Sequence, residues 1–157
     1  MPALKVERNI QDYVSGYVDG EGCFSVSFSK REKMLVGFET KPSFSVSQNE
    51  DRAQVLYLIQ KMFNCGFIRR DFSDKTLKYE VRSLESLINN VIPHFEKYSL
   101  YSEKQKDFEL FKQICFMMQK EMHKNKKGLT NIIDLAFQMN PSGKRKYTKE
   151  TMIKALR

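Results

Sequence analysis

Between Val18 and Cys23 the chain reads Asp19-Gly20-Glu21-Gly22, two acids alternating with two glycines. A carboxylate held in a glycine hinge is an oxygen ligand for a hard cation. Two copies of it brought together would repel unless divalent ions sat between them. Oxygen-only ligation of this kind suits Mg²⁺, which takes few carboxylates, keeps several waters and accepts substrate phosphate oxygens. Other chemistries lack their parts. His94 and His123 are the two histidines, and neither has a partner at metal-ligand spacing, which argues against zinc-based or histidine-based hydrolysis. Cys23, Cys65 and Cys115 are odd in number and form no CxxC pair, the usage of reduced thiols inside a cell and not of a disulfide framework.

The residues before the hinge have the period of a helix. Asn9 is its N-cap, and Ile10, Tyr13, Val14, Tyr17 and Val18 make an apolar stripe up to Asp19, with the helix breaking on Gly20 and Gly22. Gly16 and Gly20 fall four apart on one face, and small residues at that spacing let two helix backbones approach closely. A glycine inside a helix costs up to about 1 kcal/mol relative to alanine, so two of them need a packing or turn reason. If two such helices pack about a two-fold axis, Tyr13, Ser15, Gly16 and Gly20 form the seam and a Glu21 arrives from each side.

After the hinge, Phe24, Val26 and Phe28 alternate with Ser25, Ser27 and Ser29, the pattern of a half-buried strand. Lys30 to Lys33 is a charged turn into a second strand, clearest in "KPSFSVSQ", where Pro42 suggests an edge or irregular position. Asp51 opens a helix carrying Val55, Leu56, Ile59, Met62 and Phe63, stopped by Asn64-Cys65-Gly66. "FIRRDF" and "LKYEVR" pair as a hairpin around Ser73-Asp74-Lys75. Ser83 caps a helix expected to end before Pro93. A long amphipathic helix begins at Ser102, another runs from about Asn131 to Met139, and Thr148 caps a short last one. The order α-β-β-α-β-β-α predicts an α+β fold, a four-stranded antiparallel sheet with helices on one face plus C-terminal helices. We expect a single domain over 1–157, with a core at about 9–124 and a helical tail with a basic loop at about 125–157.

The outer face of such a sheet carries Ser25, Ser27, Glu39, Lys41, Ser43, Ser45, Arg69, Asp71, Lys78, Glu80 and Arg82, donors and acceptors that can read base edges in a major groove. They can equally be the wet face of an antiparallel sheet. Charge favours the first reading: 27 Lys+Arg against 19 Asp+Glu give +8, and a small basic domain most often meets a polyanion. The run Lys144, Arg145, Lys146 is a candidate phosphate clamp. "MPALKVERNI" contains no apolar leader and no run reaches membrane-spanning length, so we expect a soluble, non-secreted protein.

"VSGYVDGEG" resembles the LAGLIDADG motif, and "YVSGYVDGEGCFSV" resembles the form found in homing endonucleases encoded by mobile introns. The likeness extends to "FSVSQ", to "YSLYSEKQKDF" and to the basic loop before the terminal helix. It implies a site-specific Mg²⁺-dependent endonuclease (Mn²⁺ or Ca²⁺ are other occupants) that cuts both strands of a long pseudo-palindromic site in duplex DNA. Since one motif is present, it implies a homodimer. By position it implies metal ligation by Glu21 and the Gly20 carbonyl, a structural Asp19, water positioning by Gln48 with Arg52 in the same network, and charge stabilisation by Lys104, with Lys106 two residues away as the other register. Relatives of this kind also serve as RNA maturases on intron RNA or as non-cleaving DNA-binding proteins. A bacterial cytoplasm, chloroplast or mitochondrion would each fit such an intron setting.

Overall fold

The computed structural model describes residues 8–141 and 143–157. Helix α1 (Ile10–Glu21) begins at Asn9, whose side chain accepts hydrogen bonds from the Gln11 and Asp12 amides. It does not break at Gly20. It runs through Glu21 and passes without a loop into β1 (Gly22–Lys30), with Gly22 in an extended conformation. Close approach, not backbone freedom, demands glycine there. A Cβ on residue 22 would lie 2.5 Å from Val18 Cγ1 and 2.9 Å from the Val18 carbonyl oxygen.

Strand β1 pairs antiparallel with β2 (Phe38–Asn49), β2 with β4 (Thr76–Val81), and β4 with β3 (Phe67–Asp71), giving the order β1-β2-β4-β3. Pro42 is therefore on an inner strand and not on an edge strand. It is accommodated because pairing with β4 starts only at Phe44, so that stretch of β2 has a neighbour on one side alone. Helix α2 (Gln54–Phe63) ends as expected on Asn64 in the left-handed region at φ 54.

The helix after Ser83 does not stop before Pro93. α3 (Leu84–Ser86) leads through a π-helical stretch, Leu87–Val91, into α4 (Ile92–Lys97), with Pro93 near its start. A first-turn proline has no donor to waste, and the π register absorbs the mismatch. α5 (Lys104–Gln119) follows. α6 (Lys126–Ala136) starts about five residues earlier than expected, because the Asn125 side chain caps it at the Gly128 amide. α7 (Lys149–Ala155) has the expected Thr148 cap.

The helices bury one face of the sheet. Phe24 is the hub, with its ring 5.2–5.4 Å from those of Phe44, Phe95, Phe108 and Phe111, and each such pair adds roughly 0.5–1.5 kcal/mol beyond area burial. Strand β1 would be a free edge, a template for unwanted pairing. The α6–α7 loop covers it: Asn140 Nδ2 donates to the Phe24 carbonyl at 2.8 Å and Arg145 Nη1 to the Val26 carbonyl at 2.7 Å. No helix among the described residues is long and apolar enough to cross a membrane. The amino-terminal stretch read as leaderless lies largely outside the described residues.

Candidate functional site

Three contacts fix α1 from one side. Val14 and Val18 are fully buried, worth about 1.5–3 kcal/mol each. Ser15 donates its hydroxyl to the Tyr98 carbonyl at 2.6 Å and lies 3.0 Å from His94 Nε2. Burial pushes the His94 imidazole down to about 4, so it stays neutral at physiological pH. Ser15 is thus 5% exposed and faces inward, which corrects its assignment to the seam. Asp19 accepts from the Tyr101 and Ser102 amides and the Ser102 hydroxyl, tying α1 to the start of α5. Partial burial raises the Asp19 pKa, but those hydrogen bonds and Lys104 outweigh it and hold the carboxyl below its usual range.

The opposite face of α1 is bare. Gly16 and Gly20 are exposed, a Cβ on either would meet nothing within 4 Å, and Tyr13 beside them is 51% exposed. Glu21 lies at the foot of this face, exposed, with no basic residue in the last turn of its helix. An acid there meets the negative end of the helix dipole, an unfavourable placement that costs stability.

Around that foot the structure gathers several of the expected groups. Lys104 Nζ donates to the Val18 carbonyl at 3.0 Å and the Asp19 carbonyl at 3.1 Å. An ammonium has three donors, so one remains. Lys106 is exposed and makes no such bond among the described residues, which separates the two lysines. Gln48, at the end of β2, donates Nε2 to the Tyr17 hydroxyl at 2.5 Å, one helical turn before Glu21. Arg52 ends a 3₁₀ turn (Glu50–Arg52), exposed, and makes no hydrogen bond or ion pair with this group among the described residues.

From sequence, Lys78 is a residue of the outer sheet face alone. Cys23 is an exposed residue whose thiol is nevertheless pushed up by desolvation from the surrounding sheet, against the pull of Lys78 and Lys104, so both ammonium groups lie within electrostatic reach of a side chain two residues past Glu21. Cross-strand register is the signal that joins them: Cys23 opposes Ser45, and Ser47 opposes Lys78. No group of three or more His, Cys, Asp or Glu residues that could hold a metal occurs among the described residues. One chain offers one exposed hinge carboxylate.

The outer face is more self-contained than the sequence implies. Glu39 pairs with Arg31 at 2.9 Å and Lys41 at 3.8 Å. Asp71 accepts from the Ser73 amide and hydroxyl at 3.1 and 2.6 Å, closing its own turn. Glu80 is 3% exposed between Arg69 and Arg82, and Ser45 is 7% exposed. Glu80 and Ser45 are therefore closed to a ligand by burial, whereas Glu39 and Asp71 are each tied through one oxygen and keep the other without a protein partner among the described residues. Ser25, Ser27, Lys41, Ser43, Arg69, Lys78 and Arg82 remain accessible to differing degrees. In the basic run, Lys144 and Lys146 are exposed and line a groove with Ser25 and Ser27. Arg145 departs from the clamp expectation. Its Nη2 donates to the Ala136 carbonyl at 2.5 Å, its other arm holds Val26, and its guanidinium lies 4.8 Å from the Phe137 ring centre.

The LAGLIDADG endonuclease family model matches residues 14–115. The chain is 34% identical over 129 residues to "Probable intron-encoded endonuclease 2" of Neurospora crassa, covering 82% of this chain and 28% of that protein. It spans 24–28% of the length of three fungal relatives that it matches. The crystal structure of the homing endonuclease I-TnaI superposes with a TM-score of 0.81 at 34% identity, covering 92% of this chain and 94% of that one. The LAGLIDADG homing endonuclease I-LtrWI, solved bound to target DNA, superposes with a TM-score of 0.82 at 35% identity, covering 83% of this chain and 44% of that one.

Proposed function

Because this chain belongs to the LAGLIDADG endonuclease family, we propose that it is a site-specific, metal-dependent DNA endonuclease. It works as a homodimer on a long pseudo-palindromic intron-insertion site, inside the cell or organelle that carries the intron, with the 157 residues acting as one domain. One observation carries this reading: the bare Gly16/Gly20 face of α1 ends on an exposed Glu21 that costs its own helix stability. Two α1 helices meeting on that face bring two carboxylates and two Gly20 carbonyls together. The donors are all oxygen and the carboxylates are few, which fits Mg²⁺, with Mn²⁺ or Ca²⁺ as alternatives. When bound, such cations offset the charge on the attacking and leaving oxygens of an in-line phosphoryl displacement.

The chain's own residues do the rest. The sheet lies along the major groove, and Lys144 and Lys146 grip backbone phosphate beside Ser25 and Ser27. The remaining donor of Lys104 faces the phosphate charge that grows during displacement, with Lys78 as a second cation near it. Gln48, steadied by Tyr17, orients water next to the scissile phosphate. Arg52 reaches that network only by swinging its exposed side chain inward. A non-cleaving DNA binder or an intron-RNA maturase would have no use for Glu21. The test is incubation with Mg²⁺ and the host allele that lacks the intron. A double-strand cut at the insertion site is the expected result. No cut, together with tight binding of intron RNA, would replace this reading by the maturase one.

A further inference from the structure

We propose that Glu80 is a positioning residue that makes Arg69 and Arg82 a pair of guanine-reading forks on the outer face of the sheet. The inference rests on the DNA-cleavage reading and specifies what that sheet recognises. A carboxylate on the face away from the core, yet only 3% exposed, has to be compensated by neighbours. Glu80 Oε1 accepts from Arg69 Nε at 3.2 Å, and Oε2 accepts from Arg82 Nε. Both bonds engage Nε. The terminal nitrogens of both guanidinium groups are left without a protein acceptor among the described residues, on side chains that are 40% and 59% exposed. Phe67 stands opposite Glu80 in the strand register, and its ring centre is 5.4 Å from the Arg82 guanidinium carbon. Arg82 is thus held along one edge and across one face.

A guanidinium fixed in this way presents two parallel donors, the match for O6 and N7 of guanine in the major groove. Fixing it beforehand also lowers the ordering cost that a long side chain meets on binding. Lys78 stands opposite Arg69 and Ser47. It forms none of these restraints and remains a point charge suited to phosphate.

The test is selection of binding sites by the full chain from a pool of randomised DNA duplexes, scored base by base. The wild-type motif should hold at least two guanine positions in each half-site. Arg82→Lys should erase the preference at one of them by roughly tenfold to a hundredfold, and Arg69→Lys at the other. Glu80→Gln should flatten both while affinity for the pool as a whole rises, because a negative charge has left a surface that faces phosphate. Affinity and selectivity then move in opposite directions, which a merely structural Glu80 would not produce. Both lysine variants alter exposed groups, so they decide the matter even if Glu80→Gln fails to fold. Uniform weakening across all sequences with base preferences intact would mean that the arginines hold phosphate, and would overturn the assignment. Recovery of no duplex at all would instead overturn the DNA-binding reading beneath it.

Discussion

Glu21→Gln is expected to lower the rate of DNA cleavage by more than about a hundredfold and to leave the protein no less stable. The first number follows from ligand chemistry. Loss of a group that merely orients a metal ligand typically costs 10- to 100-fold, and loss of the ligand itself should exceed that. The second follows from position. Glu21 sits in the last turn of α1, with no basic residue there to balance it, so its removal relieves an unfavourable interaction with the helix dipole. For a chain of this length the melting temperature should rise by about 1–3 °C. Duplex affinity in the absence of divalent ions should be retained or increased, because a negative charge has been taken away from phosphate. Rate, melting temperature and affinity measured side by side separate this account from an ordinary folding defect. A variant that cut at the wild-type rate would remove Glu21 from the metal site.

Gly16→Leu should abolish cleavage by a different route. The side chain points where a Cβ meets nothing in the chain, so the single subunit has no reason to object. Its helix should gain from losing a glycine, by up to about 1 kcal/mol. Two helices packed on glycines cannot accept a leucine at the closest approach without moving apart by ångströms, and the two hinge carboxylates would move with them. The expected pattern is a wild-type circular-dichroism spectrum, a melting temperature that no longer rises with protein concentration as the dimer's does, a one-subunit mass by light scattering at concentrations where wild type is a dimer, and cleavage down by at least about a hundredfold. Retained dimerisation and cleavage would show that the seam runs elsewhere. Ser15 is a poor site for the same experiment, since its hydroxyl is committed to Tyr98 and His94.

Local patterning made most of the fold readable. The Asn9 and Thr148 caps, the alternation in β1 and β2, and the Asn64 stop are each set by a few neighbouring residues, and each appears in the structure. The departures have tertiary causes. Pro93 looked like a terminator because sequence alone does not show a π register ahead of it. Pro42 looked like an edge signal because strand order is a property of the whole sheet, and so is the shorter reach of β4. The site divides the same way. Glycine spacing and the hinge acid pointed to the bare face and its foot. Ion pairing across strands could not be read along the chain, so Glu39 and Glu80 looked free when arginines already hold them. Arg145 looked like the middle of a cationic clamp because nothing in "GKRKY" reveals that the carbonyls of an edge strand lie within reach. Alternation of exposed and anchored residues in a loop of like charges is the pattern to seek elsewhere: Lys144 and Lys146 turn outward while the residue between them pins the loop.

The central claim is that two Glu21 carboxylates, one from each subunit, share divalent cations beneath bound DNA. Anomalous diffraction from crystals of the protein–duplex complex soaked in Mn²⁺ tests it most directly. The account predicts manganese peaks on the two-fold axis or flanking it, at the foot of the paired α1 helices and within about 2.3 Å of both Glu21 side chains. Manganese bound elsewhere on the complex, with the two carboxylates apart and free of metal, would contradict it.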